Sequence, residues 1–233
     1  MTNFEIEGIL PGQDNILPAP ASTAHSTPAR FDIFELDQEQ PSQQLLDFLI
    51  LPSLVNLSYD SHYNPSGNVS AFLQRSGCSV TELRIMDHDH DHFSEMAPVS
   101  GLQALESLEY HGYLDGCLRC LNRPTNKESG SIFLPNLHRL AVWDVPKIWS
   151  GLADLFLSRP LKTLTIHPLL NIDPMDETSW VDKETVLRFQ DLVEKGYDIT
   201  IMGRLLLVGD NGEIRDLLPW FIEARTSEAR MDD

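Results

Sequence analysis

The feature that most constrains this chain is a recurring phrase in which leucines three apart lead into a pair of alternating apolar residues. It stands as Leu51-x-x-Leu54-x-x-Leu57-x-Tyr59, Val80-x-x-Leu83-x-Ile85 and Leu102-x-x-Leu105-x-x-Leu108-x-Tyr110. It recurs as Leu134-x-x-Leu137-x-x-Leu140-x-Val142, Leu161-x-x-Leu164-x-Ile166 and, shorter, Tyr197-x-Ile199-x-Ile201. The first residue of each pair falls at 57, 83, 108, 140, 164 and 199, so three of the five intervals lie in the window of about 20 to 29 residues typical of leucine-rich repeats, and two carry insertions. An alternating pair is a short strand with both apolar side chains on one face. The leucines before it turn the chain into that strand from within the core, and each unit needs its neighbours to cover them.

Between the strands the spacing predicts helices, with Val69, Phe72 and Leu73, then Cys117, Leu118 and Leu121, then Ile148, Leu152, Leu155 and Phe156 as apolar stripes. The clearest runs from Asp182 to Gly196, with Val186, Phe189, Leu192 and Val193 on one face, acidic residues near its start, and Lys195 and Gly196 at its end. Strand then helix, repeated about six times, predicts an α/β leucine-rich-repeat solenoid over residues 43–209, with a curved parallel sheet on the concave side and helices outside. Leu205 to Val208 and the turn signal Gly209-Asp-Asn-Gly212 predict an extra strand. Residues 210–233 then read as a capping helix and polar tail, with Ile214, Leu217, Leu218, Phe221 and Ile222 on its apolar face and Pro219 kinking or shortening it.

Residues 1–40 hold four prolines and seven acidic residues against the single base Arg30, a composition that predicts a largely disordered acidic tail. Phe31, Ile33, Phe34 and Leu36 interrupt it and offer either a first strand or a docking patch.

Residues 43–209 resemble the leucine-rich-repeat region of the F-box-type proteins abundant in mushroom-forming fungi. The resembling phrases are Gln44-Leu-Leu-Asp-Phe-Leu-Ile-Leu-Pro-Ser-Leu-Val-Asn-Leu-Ser58, Phe72-Leu-Gln-Arg-Ser-Gly-Cys-Ser-Val-Thr-Glu-Leu-Arg84 and Leu187-Arg-Phe-Gln-Asp-Leu-Val-Glu-Lys-Gly-Tyr-Asp-Ile199. The resemblance implies that the repeats hold a target protein as the substrate receptor of a ubiquitin ligase. In that family an N-terminal F-box binds the ligase adaptor. Residues 1–40 show no helical periodicity that could build an F-box, so an adaptor is expected as a partner only if an F-box stands upstream.

The run Asp87-His88-Asp89-His90-Asp91-His92 alternates imidazoles and carboxylates, and His88, His90 and His92 could ligate zinc, nickel or copper. Consecutive loop residues lose ordering entropy on binding, which favours a solvated loop over a metal site. Cys117-Leu-Arg-Cys120 has half a zinc site's spacing, but no second half follows, and on a helix both thiols share a face with Leu121, so apolar packing is expected. The three cysteines are too few and odd in number for a disulfide framework. A nucleophile elbow, a P-loop, a dinucleotide fingerprint and paired metalloprotease histidines are all absent, so the expectation is a non-enzymatic protein without a cofactor. A formal net charge of -18 repels phosphate backbones and anionic headgroups, which argues against nucleic acid and membrane partners. No leader or spanning segment is evident, and a cytoplasmic or nuclear location is expected.

If the apolar pairs face the core, the residues between and after them line the concave side. The inner column is Ser58, Arg84, Glu109, Ala141, Thr165 and Thr200, and the next is Asp60, Met86, His111, Trp143, His167 and Met202. From these, Arg84, Met86, Glu109, His111, Trp143 and His167 are the candidate partner-binding residues, because exposed aromatic, methionine and charged side chains anchor protein partners.

Overall fold

The alternating pairs do become strands, and their partners across the sheet are one another. The computed structural model describes residues 2–5, 29–33, 46–60, 66–86, 100–112, 114–122, 133–143, 149–167, 171–172, 181–205 and 214–231. These divide into two units, Met1–Asn136 and Leu137–Asp233. Both are α/β, built from mostly parallel strands and helices.

The first unit contains β1 (Thr2–Glu5), β2 (Ala29–Ile33), β3 (Leu54–Asp60), β4 (Glu82–Met86) and β5 (Ser107–His111), all parallel and laid side by side in chain order. In register, Phe31, Leu57, Leu83 and Leu108 form one row, and Ile33, Tyr59, Ile85 and Tyr110 form the next but one. All eight are buried. Helix α1 (Ser66–Ser76) covers this face with Val69, Phe72 and Leu73, and the Phe31 and Phe72 rings lie 5.9 Å apart. It ends at Gly77, whose φ of 57° is the left-handed geometry that stops a helix without a Cβ penalty. The Ser76 hydroxyl accepts from the Leu51 amide at 3.1 Å, and Arg75 donates to the Leu46 carbonyl, which ties this end to the segment entering β3. The repeated leucines make the expected turns, since the Leu54 amide bonds the Leu51 carbonyl and the Leu105 amide bonds that of Leu102. Helix α2 (Leu114–Leu121) buries Cys117, Cys120 and Leu121 together as expected from their spacing, with both thiols free.

In the second unit β6 (Arg139–Val142), β7 (Thr163–Ile166) and β9 (Asp198–Leu205) run parallel. Leu140, Leu164 and Ile199 form one buried row, and Val142, Ile166 and Ile201 another. The two-residue β8 (Asn171–Ile172) pairs with the end of β9. Helix α3 (Ser150–Ser158) buries Leu152, Leu155 and Phe156, the last edge-on to Tyr197 at 5.0 Å. Helix α4 (Lys183–Glu194) starts where the sequence predicts, with the Asp182 carboxylate accepting from the Thr185 amide at 2.9 Å and its hydroxyl at 2.8 Å. It stops at Gly196, at φ 90°, with the Gly196 amide on the Val193 carbonyl and the Tyr197 amide on that of Leu192, a Schellman closure. Val193 itself is 41% exposed, so the apolar stripe is narrower than its spacing suggests.

Two expectations are corrected and one alternative is decided. Of the first strand or docking patch that Phe31 and Ile33 offer, the strand forms: Ala29–Ile33 pairs with β3, and Thr2–Glu5 pairs with Ala29–Ile33 in turn. Phe34 and Leu36 lie outside the described residues. Pro219 neither kinks nor shortens α5 (Leu218–Met231), because it sits in the first turn, where its missing amide is no loss. Ile214 is not on the helical face. It is 58% exposed and precedes β10 (Arg215–Asp216), an antiparallel strand against Met202 and Gly203, while Leu217, Leu218 and Phe221 are buried. Leu205 closes β9, whereas 206–213 and Ile148 lie outside the described residues.

Candidate functional site

Strand alternation puts every second residue of the first unit's sheet on the face away from α1, and there all the side chains but Met86 are polar. One row across that face is Arg30, Asn56, Glu82 and Ser107; the next is Asp32, Ser58, Arg84 and Glu109; a third holds Asp60, Met86 and His111. Neighbouring strands lie about 4.8 Å apart, so charges in one row meet laterally. The Arg30 Nε donates to both Asp32 carboxylate oxygens, at 2.9 and 3.2 Å. The Arg84 Nε lies 3.4 Å from Glu109 Oε1 as an ion-pair contact, and the His111 Nε2 hydrogen-bonds the same oxygen at 2.8 Å. Arg84, Glu109 and His111 are therefore brought together as one cluster, each partly open to solvent, and Met86 pairs in register with His111.

Between these side chains lies a depression of about 150 Å³, lined by Arg30, Asn56, Leu57, Ser58, Glu82, Leu83, Arg84, Ser107 and Glu109. Small residues make its floor: Asn56 and Ser58 lie on β3 between the longer side chains of β2 and β4. The alternation rule places Ser58, Arg84 and Glu109 from the sequence alone. Asn56, Glu82 and Ser107, one residue before each alternating pair, share their face by the same rule and were missed because the columns began inside the pair. Arg30 and Asp32 were missed for another reason, since no leucines precede Phe31 and Ile33 and the segment reads as tail.

In the second unit the ladder runs one residue past the strands, with the His167 amide on the Val142 carbonyl at 2.7 Å. This sets Trp143 against His167, ring planes 12° apart and centroids 4.1 Å apart, a stacked pair. Ala141, Thr165 and Thr200 stand in one row of the same face. His88, His90 and His92 lie outside the described residues, and among the described residues no three of His, Cys, Asp or Glu converge as metal ligands. Burial pushes the Cys78 thiol above its usual range, partly offset by a backbone hydrogen bond, so it is poorly disposed to form a thiolate. Among the described residues no helix is long and apolar enough to cross a membrane. No family model, curated protein or solved structure matches the chain.

Proposed function

We propose that the chain is a non-enzymatic leucine-rich-repeat solenoid that binds a protein partner through its open sheet face, as the substrate-holding repeats of F-box-type ubiquitin ligase receptors do. The observation that carries this reading is the register: the repeat residues 57, 83 and 108 are paired across one sheet and 140, 164 and 199 across another. Stacked repeats of this kind leave a sheet face free, and here that face presents charged and histidine side chains in the first unit and a tryptophan–histidine stack in the second. Charges already paired to one another, such as Arg84 with Glu109, are pre-oriented and lose little freedom when a partner arrives. The partner residues are Arg84, Met86, Glu109 and His111 in the first unit, and Trp143 and His167 in the second.

The test recovers the tagged chain from its native cells and identifies what comes with it, then repeats the recovery with Arg84→Ala, His111→Ala and Trp143→Ala. The expected result is a reproducible partner lost from these variants while their thermal melts stay unchanged. A partner retained by all three refutes this face. Recovery of a cullin-ligase adaptor adds the ligase role, and a partner without the adaptor leaves a stand-alone binding module.

A further inference from the structure

The depression on the first unit's sheet face has a charge balance that selects its guest. Arg30 is neutralised by Asp32, and Arg84 by Glu109. Glu82, in the lining, has no hydrogen-bond or ion-pair partner among the described residues, so the depression carries one uncompensated negative charge. A second, independent feature points the same way. Ser58, only 6% exposed, lines the floor, and its side-chain hydroxyl has no hydrogen-bond partner among the described residues, which leaves its oxygen to accept from whatever enters. The space, about 150 Å³, is of the order that holds a benzene-sized group. That suits one guanidinium or ammonium head and excludes a nucleotide or an oligosaccharide.

We infer that this depression receives a single arginine or lysine side chain from an extended segment of the protein partner. The inference rests on the protein-binding reading above and specifies its chemistry. The guest's N–H groups donate to the Glu82 carboxylate and the Ser58 hydroxyl, while the Arg30–Asp32 and Arg84–Glu109 pairs flank the entry and set its width. An anionic side chain meets Glu82 and the field of a chain at net charge -18, and is repelled. The two arginines do not reverse this preference, because each already faces a carboxylate.

The test selects random dodecapeptides displayed on phage against the immobilised full-length chain, then measures the enriched peptides on the chain and on Glu82→Gln. Glu82 is a surface residue at a strand start, so the variant should fold, and a coincident thermal melt verifies that. The expected result is enrichment of peptides containing arginine or lysine, weakened about tenfold by Glu82→Gln through loss of a charge-assisted hydrogen bond. A peptide whose basic residue is replaced by norleucine should lose a similar factor. Enriched peptides that lack a basic residue, or are indifferent to Glu82→Gln, yet are weakened by Arg84→Ala measured in the same way, overturn this inference and leave the protein-binding face standing. Enriched peptides indifferent to both Glu82→Gln and Arg84→Ala overturn both.

Discussion

Truncating Leu140 to alanine tests the repeat register at one residue. Leu140 is 1% exposed and pairs in register with Leu164, itself fully buried, while Ala141 next to it points to the opposite face. Removing three carbons forfeits about 2.4 kcal/mol of transfer free energy at about 0.8 kcal/mol per methylene. The space left among Leu137, Val142 and Leu164, all fully buried, adds a cavity cost, so the total should lie within about 3 to 5 kcal/mol. With a urea slope of about 2 kcal/mol/M, the unfolding midpoint of the transition that includes the second unit falls by about 1.5 to 2.5 M. Thr165→Ala is the internal control: it lies on the other face, half-buried, and should change stability by no more than about 0.5 kcal/mol. A slip of one residue exchanges the two faces. If Thr165→Ala proves the costlier variant, or Leu140→Ala moves the midpoint by less than about 0.3 M, the assignment of faces in this unit is wrong.

Other substitutions read separate parts of the structure. Asp182→Ala removes the acceptor for both the amide and the hydroxyl of Thr185, which is fully buried, and should cost about 1 to 2 kcal/mol in urea unfolding, with Asp182→Asn recovering most of it. The stacked Trp143 and His167 rings should show a coupling of about 1 kcal/mol in a double-mutant cycle to alanine, and zero coupling would remove the stack. Burial raises the Cys78 thiol in the folded chain above its ordinary value of 9.0, so native protein at pH 8 should react with a thiol reagent far more slowly at Cys78 than denatured protein does. The folded state then holds the proton longer than the unfolded state. The Cys78 contribution is fully present below about pH 9.0 and is lost as pH rises from there toward the folded value, which Cys78→Ala should abolish in a pH series of melts.

The strands were legible because their signal is doubled. In Leu108-x-Tyr110 or Leu140-x-Val142 the alternation identifies a strand, and the leucines three and six residues earlier say which face is buried. The α4 boundaries were legible for a similar reason, with an acidic cap at Asp182 and a left-handed glycine at Gly196 acting through backbone geometry that needs no tertiary context. Phe31 and Ile33 carry only the alternation, amid acidic and proline-rich sequence. Their strand exists because β3 offers an edge and Phe72 a ring to pack on, neither of which local composition encodes. Arg84, Glu109 and His111 could be placed on one face from spacing alone, but not the choice of a single Glu109 oxygen by both neighbours, nor the depression beside them. Those depend on side-chain length across three strands, with Asn56 and Ser58 short where Arg30, Glu82 and Arg84 are long.

The polar rows also explain why, among the described residues, the helix of the first unit covers its sheet on one face only. Parallel strands are ordinarily buried on both faces, each being linked to the next by a crossover of the same hand. A sheet that grows by adding each new strand on the same edge keeps every such crossover on one face, and β1 to β5 follow in chain order without reversal. The doubly wound alternative needs a reversal of that order, which would carry helices across Arg30, Asp32, Arg84 and Glu109 and strip water from two ion pairs at a cost of several kcal/mol per ion. Without a reversal there is also no crevice of the kind at which open α/β sheets usually take ligands. The chemistry-bearing side chains are left on the broad face itself. A guest there must satisfy charges that remain hydrated until it arrives, which suits the single cationic side chain of an extended peptide better than an apolar small molecule.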